Sequence, residues 1–268
     1  MIMDLGGIEG MSGHSKWANI KRKKGANDAE RGKIFTKMAK EIAVAVRAGG
    51  PDPDGNFRLK MCVQKAKASN MPSDNIKRCI EKAAGLGDSA AIEEFFYEGY
   101  GAGGVAILCE MLTDNRNRCA SEIRYLFSRN NGNLGETGCV SYLFERKGQL
   151  TVSLEGKDED ELLMAALDAG AEDLSVNPGD EEEEIPAGAE VITSPSDLEA
   201  VRAALLDAGY NVTSAEIIMQ PGNRIEITDA DTAAKLLKLV EALEDNDDVR
   251  AVYANYEISD ELLEQLQD

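Results

Sequence analysis

The chain has 268 residues, 43% apolar and 29% charged, with a formal charge of −20. That length suits two or three domains, each able to bury a core. No apolar run approaches the roughly 20 residues of a membrane helix, so the chain is not expected to span a bilayer.

Charge is divided unevenly. Between Met11 and Lys82 stand seventeen basic and seven acidic residues, a net of +10, and everything else carries −30. Such a split predicts a polyanionic partner for the cationic end. The first ten residues hold Asp4 and Glu9 but no Lys or Arg. They lack the positive start of a secretory signal and the Arg-rich character of a presequence. They read as an extension before a start at Met11, and a cytoplasmic protein is expected.

Residues 12–25 are rich in Gly, Ser and Lys/Arg and predict a loosely ordered arm ending in Lys21-Arg22-Lys23-Lys24. Asn27 or Asp28 can cap a helix containing Lys33 to Ala48, which Gly49-Gly50-Pro51 ends. At about 100° per residue, Lys33, Lys37, Lys40 and Arg47 share one narrow sector, left for solvent or a ligand. Phe35, Met38, Ala39, Ile42, Ala45 and Val46 lie opposite. A second helix over Asn56–Ser69 carries the stripe Leu59, Cys62, Val63, Ala66. A third, capped by Ser73 or Asp74, carries Ile76, Ile80 and Ala83. The three helices predict a small bundle of roughly 70 residues.

From Ile92 the period changes. Phe95–Tyr100 and Val105–Met111 read as strands around Gly101-Ala102-Gly103-Gly104. Gly99, Gly101 and Gly104 satisfy G-x-G-x-x-G, but a strand follows where a dinucleotide site needs a helix, so a hairpin turn is the reading. Thr113 or Asp114 caps a helix with Ala120, Ile123 and Phe127 inward. Val140–Phe144 and Gln149–Leu154 suggest a hairpin across Arg146-Lys147-Gly148. Then come helix Asp158–Ala169, a strand near Leu174-Ser175-Val176, the acidic run Asp180–Glu184 (a solvated loop, or a partner-binding tail), strand Glu190–Thr193, helix Pro195–Ala208 and strand Ala215–Met219. Leu167-Asp168-Ala169-Gly170 and Leu206-Asp207-Ala208-Gly209 each end a helix before a strand, an echo that suggests a ferredoxin-like α+β fold. Helix Asp229–Leu243, an acidic turn, strand Val249–Tyr256 and an amphipathic Ile258–Leu266 close the chain.

Candidate chemistry is sparse. The five cysteines show no C-x-x-C spacing and read as small buried hydrophobes in a reducing compartment. His14 is the sole histidine, so neither a zinc site nor a conventional triad is expected. No cofactor, metal or small-molecule substrate is expected, and an enzyme is not. The basic cluster is the functional signal, because cations that contact phosphates confer affinity with little sequence reading. Candidate nucleic-acid contacts are Lys16, Trp17, Lys21, Arg22, Lys23, Lys24, Arg31, Lys33, Lys37 and Lys40. Trp17 can stack on a base or pack on the bundle. Arg116 and Arg118, in Asp114-Asn115-Arg116-Asn117-Arg118, read as a capped helix start with surface ion pairs, or as a secondary contact.

Several of these stretches together resemble one family. M-S-G-H-S-K-W-A-N-I-K-R-K-K-G-A-N-D-A-E-R-G-K-I-F-T-K from Met11, N-M-P-S-D-N-I at 70–76, Y-E-G-Y-G-A-G-G-V-A-I at 97–107, T-D-N-R-N-R at 113–118, N-G-N-L-G-E at 131–136 and D-D-V-R-A-V-Y-A-N at 247–255 are similar to the YebC/PmpR family of bacterial proteins. The resemblance covers essentially everything after Met11. It implies an α+β protein with a small N-terminal helical bundle followed by two ferredoxin-like α+β domains, one inserted in the other. The expected boundaries are 1–25 for extension and arm, 26–88 for the helical domain, 89–132 with 212–268 for a discontinuous domain, and 133–211 for the insert. It also implies a transcriptional regulator binding DNA through the basic domain. Relatives, including a mitochondrial translational activator, act on translation at the ribosome, which keeps ribosomal RNA as the alternative partner. The resemblance implies no catalytic residues.

Overall fold

The computed structural model describes residues 28–85, 92–154, 156–177, 179 and 187–266. The chain divides into two compact units. One is Arg146–Met219. The other takes the described residues of Ile20–Glu145 together with Gln220–Asp268.

The larger unit begins with three helices, α1 (Asp28–Gly49), α2 (Phe57–Ala68) and α3 (Ser73–Ala84). Asn56 caps α2 through a hydrogen bond from the Leu59 N–H, and Ser69 closes it. Pro72 stands at the N-cap of α3 with no side-chain cap bond, in place of the Ser73 or Asp74 cap expected. Its fixed φ starts the helix without help from a side chain. The predicted apolar stripes meet in a core of Met38, Ile42, Ala45, Val46, Leu59, Ala66, Met71 and Ile76.

Next comes a hairpin of β1 (Glu93–Tyr100) and β2 (Ala106–Thr113), paired antiparallel from Glu93↔Thr113 to Tyr100↔Ala106. Between them Ala102–Gly104 make a tight helical turn, with Gly103 and Gly104 at φ +72° and +75°, a conformation that favours glycine. The G-x-G-x-x-G pattern is therefore a hairpin. Helix α4 (Arg116–Arg129) and a short β3 (Asn133–Leu134) follow. After the smaller unit the chain resumes with β8 (Ile225–Ile227), α7 (Ala230–Glu244), β9 (Val249–Ala254), β10 (Tyr256–Ile258) and α8 (Asp260–Gln265). The main sheet runs β3-β1-β2-β9, and β8 and β10 form a separate parallel pair.

Every residue of β2 is buried. Its neighbours in the sheet are β1 and β9, and α1 packs against both β2 and β9. Alternation sends Ile107, Cys109 and Met111 to one face and Leu108, Glu110 and Leu112 to the other. The second set lies on the side of α1, since Glu110 shares Arg250 with Glu41 of that helix.

The smaller unit is built from β4 (Phe144–Ser153, which begins just before it), α5 (Glu159–Asp168), β5 (Asp173–Asn177), β6 (Gly188–Thr193), α6 (Leu198–Asp207) and β7 (Asn211–Pro221). Its sheet order is β5-β6-β4-β7, the ferredoxin-like order of two interleaved strand–helix–strand halves. Asp158 caps α5, while Gly170 and Gly209 follow α5 and α6 at φ +100° and +84°. The repeated Leu-Asp-Ala-Gly is thus two left-handed helix ends.

One expected hairpin is overturned. Residues 144–153 form a single strand, and Ser141–Leu143 precede it as a short 3-10 turn. Gly148 is not a turn residue: it pairs with Thr193 of β6, and a Cβ there would stand 2.4 Å from Thr193 Oγ1 and 3.0 Å from Leu198. Close approach of a neighbouring strand and helix, rather than a reversal, demands the glycine.

Candidate nucleic-acid interface

Helix α1 buries two faces, not one. Its apolar face fills the bundle core. Its cationic sector also contains Val44, which is buried, and is flanked by Glu41, 7% exposed. Here the helix lies on β2 and β9. Lys37 Nζ donates to the Glu244 carbonyl at the end of α7. Lys40 Nζ donates to Asp248 Oδ1 at 2.5 Å and to the Asp247 carbonyl at 2.8 Å. The sector is therefore not wholly open: the α7–β9 turn engages Lys37 through a backbone carbonyl and Lys40 through the Asp248 carboxylate.

Asp248 is the centre of that turn. Only 2% exposed, it receives Lys40 on one oxygen and Arg118 Nη2 on the other at 2.8 Å, and its own N–H donates to Asn246 Oδ1. Burial pushes its carboxyl upward, but the hydrogen bonds from Lys40 and Arg118 outweigh that and hold it below its ordinary value. In turn the bond to Asp248 raises Arg118.

A second charged network joins α1 to α2, β2 and β9. Arg250 Nη1 donates to Glu110 Oε2 at 2.6 Å and its Nε lies 3.6 Å from Glu41 Oε2, which Lys65 approaches at 3.5 Å. The Tyr253 hydroxyl also donates to Glu110. Arg58 grips both oxygens of Glu94 at 2.6 and 3.1 Å. Burial raises the Glu110 carboxyl, with Arg250 opposing. At Glu94 burial is overcome by the Arg58 hydrogen bond and the carboxyl is lowered.

An open cleft of about 490 Å³ lies beside the first network, lined by Lys33, Thr36, Lys40 and Arg118 but also by Asp114, Glu122, Asp245, Asp247 and Asp248. Five carboxylates against three cations make it unfit for phosphate. Among the described residues, no group of His, Cys, Asp and Glu is arranged to hold a metal.

The other candidates separate as follows. Lys16, Trp17, Lys21, Arg22, Lys23 and Lys24 lie outside the described residues. Arg31 and Lys33 are exposed on the first turns of α1, and Arg47 is exposed near its end. Arg116 donates to Glu93 at 2.6 Å and stacks over Phe95 at 4.1 Å, while Arg118 also reaches Asp114. Asn115, rather than Thr113 or Asp114, caps α4 through the Arg118 N–H. Both arginine side chains of that motif form ion pairs, and the Arg118 N–H completes the cap.

Sequence reasoning missed five exposed cations on the bundle's other helices: Lys60 and Lys67 on α2, Lys77, Arg78 and Lys82 on α3. The signal was available, since each sits off the Leu59–Ala66 and Ile76–Ile80 stripes.

Two family models cover most of the chain. A model described as the TACO1/YebC protein N-terminal domain matches residues 15–86, and one described as the TACO1/YebC second and third domain matches residues 92–256. A protein of Desulfitobacterium hafniense, named a probable transcriptional regulatory protein, is 54% identical over 95% of this chain and 99% of its own. One of the same name from Moorella thermoacetica is 52% identical over 96% and 99%. The crystal structure of a conserved hypothetical protein from Aquifex aeolicus is 46% identical, with TM-score 0.79 over 88% of this chain and 94% of that one. Among the described residues no helix is long and apolar enough to cross a membrane. Matched from its basic helical region through its second and third domains, the chain belongs to the TACO1/YebC family, and the Desulfitobacterium and Moorella relatives carry the name probable transcriptional regulatory protein.

Proposed function

We propose that the protein is a cytoplasmic, nucleic-acid-binding regulator of gene expression, acting on DNA through its cationic end. The observation that carries this is the charge split, +10 between Met11 and Lys82 in a chain of −20. Lys16 and Lys21–Lys24 of the arm, with Arg31 and Lys33, neutralise phosphates and release counterions. Lys60, Lys67, Lys77, Arg78 and Lys82 extend the exposed cationic surface over the bundle. Lys37 and Lys40 also tie the bundle to the α7–β9 turn. The acidic remainder repels polyphosphate and limits contact to one end. Crosslinking in cells followed by sequencing of the bound nucleic acid tests the reading. Discrete DNA sites are expected; no nucleic acid above an untagged control would refute it.

One observation favours a second reading, ribosomal RNA. The bundle's exposed cations are spread over α2 and α3 rather than ranked along one helix able to enter a major groove. Such a surface suits irregular RNA as well as duplex DNA. Salt-sensitive co-sedimentation with ribosomes, and RNA in place of DNA in the crosslinked pool, would select it.

A further inference from the structure

We infer that the outer face of α5 is a docking surface for a cationic amphipathic helix of another protein. This rests on the smaller unit alone and is independent of the nucleic-acid reading. Helix α5 reads E-D-E-L-L-M-A-A-L-D; Leu162 and Ala166 enter the core. Leu163, Met164 and Leu167 are 37%, 61% and 48% exposed and fall in one sector roughly opposite that core at about 100° per residue. Helix α6 packs beside α5 and carries Leu206, 39% exposed. A surface helix ordinarily turns polar residues outward, so three large apolar side chains grouped on its outer sector mark a contact face.

The rim says what covers it. Glu159, Asp160, Glu161 and Asp168 are exposed on α5, and Arg146–Met219 as a whole holds eighteen acidic and four basic residues, a net of −14. A second copy meeting this face with its own would bring the same carboxylates against themselves, and a nucleic acid or anionic membrane would be repelled. A helix with leucines at i, i+3, i+4, i+7 and lysines beside them meets both requirements. Leucine and methionine side chains repack around such helices, as helix-in-groove recognition requires.

The test uses the full chain and a fluorescein-labelled leucine/lysine amphipathic helical peptide, with a scrambled peptide of equal charge as control. Fluorescence anisotropy should give micromolar binding at low salt, about tenfold tighter than the scrambled peptide. Met164→Ser with Leu167→Ser should weaken it by about tenfold, with the thermal midpoint unchanged because both side chains are exposed. Met164→Gln alone, a milder change, should lose about threefold and guards against misfolding of the double variant. Equal binding of the two peptides, or unaltered affinity in both variants, would overturn the proposal by leaving only non-specific charge. A dimer in sedimentation equilibrium that the double variant dissolves would overturn it in favour of a second copy.

Discussion

Lys40 Nζ stands 2.5 Å from Asp248 Oδ1, tying the cationic helix to the turn before β9. The lysine side chain is 17% exposed and the aspartate 3%, so this pair is screened far less than a surface bridge. Arg118 closes the other oxygen. Asp248→Ala removes the buried carboxylate that the two cations share, leaving Lys40 the Asp247 carbonyl and Arg118 the exposed Asp114, and should cost about 2–4 kcal/mol, read from urea unfolding. A double-mutant cycle of Lys40→Ala with Asp248→Ala should show coupling of about 1–2 kcal/mol; additive losses would mean the pair is incidental.

The same carboxylate fixes a pH dependence. A group whose folded value is depressed adds stability above its unfolded value and loses it as pH falls through the folded one. Asp248 is depressed. So is Glu98, where burial is outweighed by N–H donors from Gly138, Val140 and Ser141. Stability should therefore decline below about pH 4 and do so less steeply in Asp248→Asn. Parallel acid profiles for the two proteins would contradict this.

Glu98→Gln tests the loop those donors form. One amide oxygen cannot replace two carboxylate oxygens that accept three N–H groups, so the loss should be about 1–3 kcal/mol. Hydrogen exchange should quicken at Val140 and Ser141 before it does in β2.

How far the chain was legible turns on particular residues. The helix starts at Asn56, Asp158 and Asp229 could be read because caps act locally, through a side chain and a backbone N–H three residues on. Gly148 could not, because its requirement comes from Thr193 and Leu198, distant in sequence. A glycine read alone suggests a turn; only the sheet reveals a close approach. β8 was missed for a related reason: three residues paired with Tyr256–Ile258 carry too short a pattern to read. On α1, Val44 within the cationic sector was the clue that the face is covered. Which carboxylate would meet Lys40 depended on the return of the chain at Asp248.

Gly148→Ala should destabilise by about 1–3 kcal/mol through its clash with Thr193 and Leu198. Thr193→Ala in the same chain should recover part of that loss, since it removes the nearest atom. No recovery in the double variant would place the strain elsewhere.

Thiol reactivity follows burial. Desolvation pushes Cys62 up to about 11 and Cys119 up to about 12, and raises Cys109 beyond the ordinary thiol range. Because the thiolate is the reactive form, these three should resist a disulfide reagent at pH 8 in the native protein and react rapidly in urea. Prompt native labelling of Cys109 or Cys119 would contradict their placement.

The proposed role of the cationic end is to neutralise phosphates. Its most direct measurement is the dependence of duplex DNA affinity on salt for the full chain and for a variant with Lys21–Lys24 changed to alanine. Contact with about five phosphates predicts a slope of about −4 to −5 in log Kobs against log salt, falling markedly toward zero in the variant. A slope that is flat in the parent chain, or identical in the two proteins, would contradict the account.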